Sequence, residues 1–167
     1  MKTSDNLQTA FAGESQANRR YLAFAKKAQE DGKPQIAKVF RAAAAAETVH
    51  ALAHFRVMNG VATTADNLKT AIAGEAYEFQ SMYPEFVRMA EGEDQRAAVA
   101  TFKNAMTVEK THHALFTAAL EAIGSGKDLA PAEIWVCEVC GHTHVGDEPP
   151  EHCPVCNALR KSFTKVV

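Results

Sequence analysis

Between residues 4 and 123 apolar positions recur three and four apart on a background of Ala, Leu, Glu, Gln, Lys and Arg, the pattern of amphipathic helices. Breakers cut this stretch into four. "EDGKP" (30–34) ends a first helix and sets Pro34 at the start of a second; "MNGVATTADN" (58–67) and "AEGEDQ" (90–95) mark the next two boundaries. Ser4, Thr64 and Asp94 are the expected N-caps, and Gly32, Gly60, Gly92 and Gly124 stand where helices should stop. Four helices of about 25 residues, each ~38 Å long at 1.5 Å per residue, predict an all-α four-helix bundle over 1–123. Loop length leaves open whether the second connection crosses the bundle or turns back. After Gly124 the helical pattern stops. "GSGKDLAP" (124–131) reads as a linker, and 132–167, which hold Trp135 and every cysteine, read as a second unit too small to be stable without a staple.

Composition narrows the function. With 167 residues, 47% of them apolar, the chain can bury a sizeable core. A formal net charge of -2 provides no basic field, which argues against nucleic acid and against anionic membrane surfaces. No run of about 18 apolar residues is present and the N-terminus has no apolar export signal, so the expected location is the cytoplasm. In that compartment the four cysteines are expected as metal-bound thiolates rather than disulfides.

The helical region also contains an internal repeat. "AGESQANRRY" (12–21) resembles "AGEAYEFQSMY" (73–83), aligning Glu14 with Glu75 at an offset of 61, and "ETVH" (47–50) resembles "EKTH" (109–112) at an offset of 62. Each of the latter is a Glu-x-x-His motif, Glu47/His50 and Glu109/His112, whose spacing puts carboxylate and imidazole on one helix face. One such motif is weak evidence. Two of them, with a single glutamate on each remaining helix, Glu14 and Glu75, complete the ligand pattern of di-iron or di-manganese carboxylate bundles. Four converging carboxylates are costly to bury alone, and two divalent ions balance them. Oxygen-rich donors with two imidazoles suit iron or manganese better than zinc. Glu78, three residues after Glu75, is a candidate seventh ligand, with Ala17 as its counterpart. His54 and His113 are alternative ligands but read better as surface or supporting residues. Glu85, Glu91 and Glu121 read as solvated, and "RAAAAAE" (41–47) as close helix packing. Tyr21 and Tyr83, one to two turns after the single glutamates, are either site tyrosines or core tyrosines with satisfied hydroxyls.

Cys137, Cys140, Cys153 and Cys156 form two Cys-x-x-Cys pairs, a strong four-thiolate signal for one tetrahedral ion. The spacing does not choose between structural zinc and a one-electron Fe(Cys)4 centre. Taken together, "AGESQANRRY", "ETVH", "GEAYEFQSMYPEF", "EKTH" and "CEVCGHTHVGDEPPEHCPVC" resemble the rubrerythrin family over essentially the whole chain: a ferritin-like di-iron bundle followed by a rubredoxin-like, metal-stapled, β-rich domain. The resemblance implies two iron ions held by Glu14, Glu47, His50, Glu75, Glu78, Glu109 and His112, and one iron held by the four cysteines, with zinc able to occupy either site as prepared. It implies that Glu78 and His50 exchange as ligands of one iron with oxidation state, and it matches Tyr21 and Tyr83 to tyrosines beside the metals. "CNALR" departs from the family in lacking the glycine that often follows the last cysteine.

The function implied is a hydrogen peroxide reductase that serves oxidative-stress defence. Two ions suit two-electron O–O cleavage, and the Fe(Cys)4 centre returns electrons from an external rubredoxin or an NAD(P)H-linked flavoprotein reductase. An eight-residue linker spans at most about 27 Å. The tail is therefore expected to miss its own chain's metals and to serve a neighbour's in a homodimer, head-to-tail or helix-swapped. Two rivals remain at this point: an iron-oxidising or iron-storing bundle with a structural zinc tail, and a redox-sensing or interaction module without turnover.

Overall fold

The computed structural model describes residues 2–167, which fall into two compact units, one ending at Ala62 and the other beginning at Thr63. The first is a helical hairpin of α1 (Thr3–Glu30) and α2 (Pro34–Val57). Its buried positions are Asn18, Ala25 and Ala28 on α1 and Ala37, Ala44 and Ala51 on α2. Sevenfold spacing of small residues on both helices makes a narrow seam of the coiled-coil kind, along which the backbones approach closely. The turn between them is closed by Gly32, whose φ of 69° a residue without Cβ adopts at no cost.

The second unit begins with α3 (Thr64–Tyr77), runs through a π turn (Glu78–Met82) into α4 (Tyr83–Gly92), and returns along α5 (Arg96–Gly124). The third expected helix is thus continuous but locally widened. Beyond the linker, β1 (Ile134–Cys137) pairs antiparallel with β2 (Thr143–Val145) on one side and β3 (Phe163–Lys165) on the other. Cys137, Cys153 and Phe163 are the buried centre of this small sheet, with Trp135, Cys140, Val155, Cys156 and Ala158 packed against it. The Trp135 indole N–H donates to the Gly146 carbonyl at 3.0 Å.

The expected N-caps shift. α1 is capped by Lys2, α3 by Thr63, whose hydroxyl accepts from the Asp66 N–H, and α5 by Gln95. Asp94 cannot cap because it ends the preceding helix in the left-handed region, at φ 51°, where its short polar side chain is tolerated. Gly60 has a packing reason: a Cβ there would meet the Phe55 ring at 2.2 Å, and that ring stacks on Phe11 at 4.9 Å. No helix of the described residues is long and apolar enough to cross a membrane.

Candidate metal centres

Three groups of side chains gather ligand atoms within 4.8 Å of one another: Glu14, Glu47 and His50; Glu75, Glu109 and His112; and the four cysteines. The first two are one triad built twice. In the first unit α1 contributes Glu14, and one turn of α2 contributes Glu47 and His50, with His50 Nδ1 3.1 Å from Glu47 Oε2. Glu14 and Glu47 share a hydrogen bond that raises the Glu14 carboxyl and lowers that of Glu47.

The second triad is drier. His112 Nδ1 lies 2.7 Å from Glu109 Oε2 and 3.8 Å from Glu75 Oε1. Burial, then the bond to Glu109, then the charges of Glu109 and Glu78 push the Glu75 carboxyl up to about 7. Glu78 stands outside the three-residue cluster but senses it: burial and the Glu109 charge raise its carboxyl while His112 draws it down. Burial and the charges of Glu78, Glu109 and Glu75 raise the Tyr83 phenol, which therefore stays protonated beside these carboxylates. Tyr21 packs in an aromatic trio with Phe24 and Phe40. His113 lies edge-on to Phe79, and the charge of His54 acts on Glu14.

The repeat is longer than its motifs. Residues 3–14, TSDNLQTAFAGE, and 64–75, TADNLKTAIAGE, agree at nine of twelve positions at an offset of 61. From Tyr83 onward the offset is 62. The trio Tyr21, Phe24 and Phe40 recurs as Tyr83, Phe86 and Phe102 with centroid separations of 6.2, 6.1 and 5.5 Å against 6.4, 6.3 and 5.6 Å. Left-handed Gly32 recurs as left-handed Asp94. One extra residue therefore lies between Glu75 and Tyr83, and the π turn Glu78–Met82 falls in that interval. A widened turn absorbs an insertion without rotating the helix beyond it, and such turns are frequent at functional sites. The change of offset was the sequence signal for it.

The cysteine group is a tetrahedron in outline. Cys137 and Cys156 sulfurs lie 3.7 Å apart, and those of Cys140 and Cys153 3.6 Å. A tetrahedron with metal–sulfur bonds of about 2.3 Å has edges of about 3.8 Å, whereas a disulfide needs about 2.05 Å. Burial pushes the Cys140 and Cys156 thiols up, so without a cation they stay protonated, and a bound ion would be what holds them as thiolates. Each pair closes a matching turn, with Gly141 N–H donating to the Cys137 carbonyl and Asn157 N–H to the Cys153 carbonyl. Asn157, at φ 61°, takes the left-handed position that Gly141 takes in the first turn, so the missing glycine costs the tail little. Geometry and donor set both fit iron, and the triads' carboxylate and imidazole donors do so equally.

One contact corrects the reach argument. His112 Nε2 is 3.0 Å from the Thr143 hydroxyl on β2 of the same chain, so the tail does touch a triad of its own subunit. The linker length bounded the span correctly, but the tail starts from the end of α5, the helix that carries His112. Thr143 carries no motif that could have singled it out.

Residues 5–120 match the rubrerythrin family model, and residues 135–164 the model of the rubrerythrin rubredoxin-like domain. Rubrerythrin-2 of Clostridium acetobutylicum is 34% identical over 175 residues, covering 96% of this chain and 95% of its own length. Nigerythrin of Nitratidesulfovibrio vulgaris is 35% identical over 176 residues, covering 97% and 85%. The solved structures of nigerythrin in mixed-valence and fully reduced, all-ferrous states superpose with a TM-score of 0.57 at 34% identity, over 99% of this chain and 87% of theirs. With both family models matched and relatives near 34% identity over nearly the whole chain, the fold is a ferritin-like bundle with a rubredoxin-like domain, and the chain belongs to the rubrerythrin family of iron-binding oxidoreductases.

Proposed function

We propose that the chain reduces hydrogen peroxide to water at a di-iron centre fed with electrons through its four-cysteine iron. The observation that carries this reading is His112, bonded through Nδ1 to Glu109 and through Nε2 to Thr143 of the rubredoxin-like domain. A group that touches both a candidate two-electron site and a candidate one-electron inlet suits a turnover enzyme better than a store of iron with a structural tail. Glu14, Glu47, His50, Glu75, Glu78, Glu109 and His112 would hold two irons, and Cys137, Cys140, Cys153 and Cys156 one. Held there, two ferrous ions would supply the two electrons needed to break an O–O bond, and an iron on the cysteines would supply single-electron transfer.

The chain's own groups do the rest. His112 Nε2 lies 3.0 Å from Thr143 Oγ1, and with Nδ1 on a metal it would donate its Nε2 proton to that hydroxyl. Burial and the neighbouring carboxylates raise the metal-free Glu75 carboxyl to about 7, and a bound cation would draw that proton off. The Tyr83 hydroxyl, kept protonated beside these carboxylates, is the candidate proton donor. His50, with 56% of its side chain in solvent against 28% for His112, is the more accessible of the two imidazoles.

The domains we assign are 1–123, 124–131 and 132–167. We place the protein in the cytoplasm, with an external rubredoxin or an NAD(P)H-linked flavoprotein reductase as donor. Leu22, Phe24, Ile36, Val39, Val49 and Leu52 are all exposed on α1 and α2, and a second copy of the chain in a homodimer would cover apolar surface of this kind. Stopped-flow mixing of the reduced protein with peroxide tests the reading. Oxidation should be much faster than in a Glu47→Ala, Glu109→Ala double variant, and Thr143→Val should slow electron return from the tail about 10-fold while sparing the first oxidation. Equal rates in wild type and double variant would end the proposal.

A further inference from the structure

We infer that Asn18 is a positioning residue, which sets the register of α1 against α2 so that the Glu14 carboxylate meets Glu47. This rests on the reading that Glu14, Glu47 and His50 take a divalent ion. Among the described residues Asn18 is the only buried polar side chain, at 8% exposure. Its Nδ2 donates to the Ala44 carbonyl at 2.7 Å and to the Thr48 hydroxyl at 2.9 Å, and Thr48 in turn donates to the same carbonyl. These bonds lie one turn from Glu14 on α1 and beside Glu47 on α2.

The rest of the seam explains why such a pin is needed. Asn18 and Ala25 are seven apart, and Ala37, Ala44 and Ala51 repeat the same step on the facing helix. Methyl groups pack closely but present a smooth surface, so alanine against alanine discriminates weakly between neighbouring registers. A single buried asparagine at the corresponding heptad position selects one register at some cost in stability, because any other leaves its amide unpaired in the seam. A slip of one turn moves a side chain about 5.4 Å along the axis. That exceeds the 4.8 Å within which the triad's ligand atoms lie. Smaller errors matter as well, since metal sites are held to about 0.5 Å. Aromatic contacts at the two ends, Phe11 on Phe55 and Tyr21 and Phe24 on Phe40, bracket the register but carry no directional bond.

The repeat supports the assignment by contrast. The second unit has Phe79 or Gln80 where Asn18 stands, depending on the side of the insertion, and Lys110 in place of Thr48. Its triad is held by other means, with Phe79 against His113 and Thr143 against His112. The polar pin belongs to the half whose seam is made of alanine.

The test uses the full chain, its four-cysteine site filled with iron and its helical metals removed, titrated anaerobically with cobalt(II). Wild type should take up two ions in the helical domain. Asn18→Leu should melt at or above the wild-type temperature in the metal-free form, because an apolar side chain replaces a buried amide, yet bind one of the two ions on the order of 10- to 100-fold more weakly. Spin labels on Arg20 and Lys38 should report a broadened α1–α2 distance. Asn18→Gln, which keeps the donor, should recover part of the affinity. Should Asn18→Leu overfill the seam and fail to fold, Asn18→Ala, which extends the alanine pattern, gives the same two readouts. Wild-type cobalt affinity and an unbroadened distance in the folded variant overturn the role of Asn18; failure of the wild type itself to bind two ions overturns the metal reading instead.

Discussion

The two helix pairs repeat one sequence pattern and gather the same three donor side chains in different ways. α1 and α2 meet along alanines, leave His50 mostly in solvent and hang their register on one amide. α3 to α5 carry bulkier side chains at the matching positions, with Val99 for Ala37, Met106 for Ala44 and His113 for Ala51, and they add a π turn, a further carboxylate in Glu78 and a tail residue on His112. The donor set thus recurs while its surroundings differ. The difference leaves one triad more open, with His50 at 56% side-chain exposure, and the other half-buried, with His112 at 28%.

The sharpest way to break this comparison is to remove one residue from each half. Deleting Arg20 from the regular α1 rotates everything beyond it by about 100°, taking Ala25 and Ala28 off their seam. The metal-free protein should lose about 4 kcal/mol or more by urea unfolding. Deleting Ser81 from the π turn should instead relax it to α-helix, leave Tyr83, Phe86 and Asp94 in place and cost under about 1.5 kcal/mol. Equal losses would show that the widened turn does not absorb an insertion.

Next in size are the ligands themselves. Glu47→Gln and Glu109→Gln should each weaken one cobalt ion by about 100-fold while leaving the other within about threefold, measured in the same titration. Should either variant abolish both ions together, the halves are not separable.

The smallest effect is that of pH on the metal-free protein. A carboxyl raised from 4.5 to about 7 in the folded state, as at Glu75, binds its proton more tightly folded than unfolded. Its contribution is therefore complete below about pH 4.5 and lost as pH rises through 7. The melting temperature of the metal-free chain should drop by a few degrees between pH 5 and 8, less so in Glu75→Gln. With metal bound the sign reverses, because protons compete with the ion. A metal-free melting temperature that rises over this range would contradict the shared proton at Glu75 and Glu109.

Much of this was legible in the chain. Periodicity marked the long helices and the breakers between them because burial of one face imposes a 3.6-residue period. The triads and the cysteine pairs were legible because each ligand set rests on local spacing, three residues for Glu-x-x-His and Cys-x-x-Cys alike. The N-caps were misplaced by one or two residues because several residues near each boundary can cap, and only backbone torsions choose. Asn18 and Thr143 were passed over because nothing local distinguishes them from other asparagines and threonines. The insertion stood in the offsets, 61 and then 62, but an offset alone does not say whether a residue loops out or widens a turn.

The chain alone therefore carries whatever local chemistry dictates: donor types, their spacing on a helix face, and the places where helices stop. Which groups from distant segments meet was settled only by folding. Asn18 finds Ala44 across 26 residues and His112 finds Thr143 across 31. Such pairings depend on how whole elements pack, and packing is set by the summed burial of many side chains rather than by any motif that a single stretch can carry.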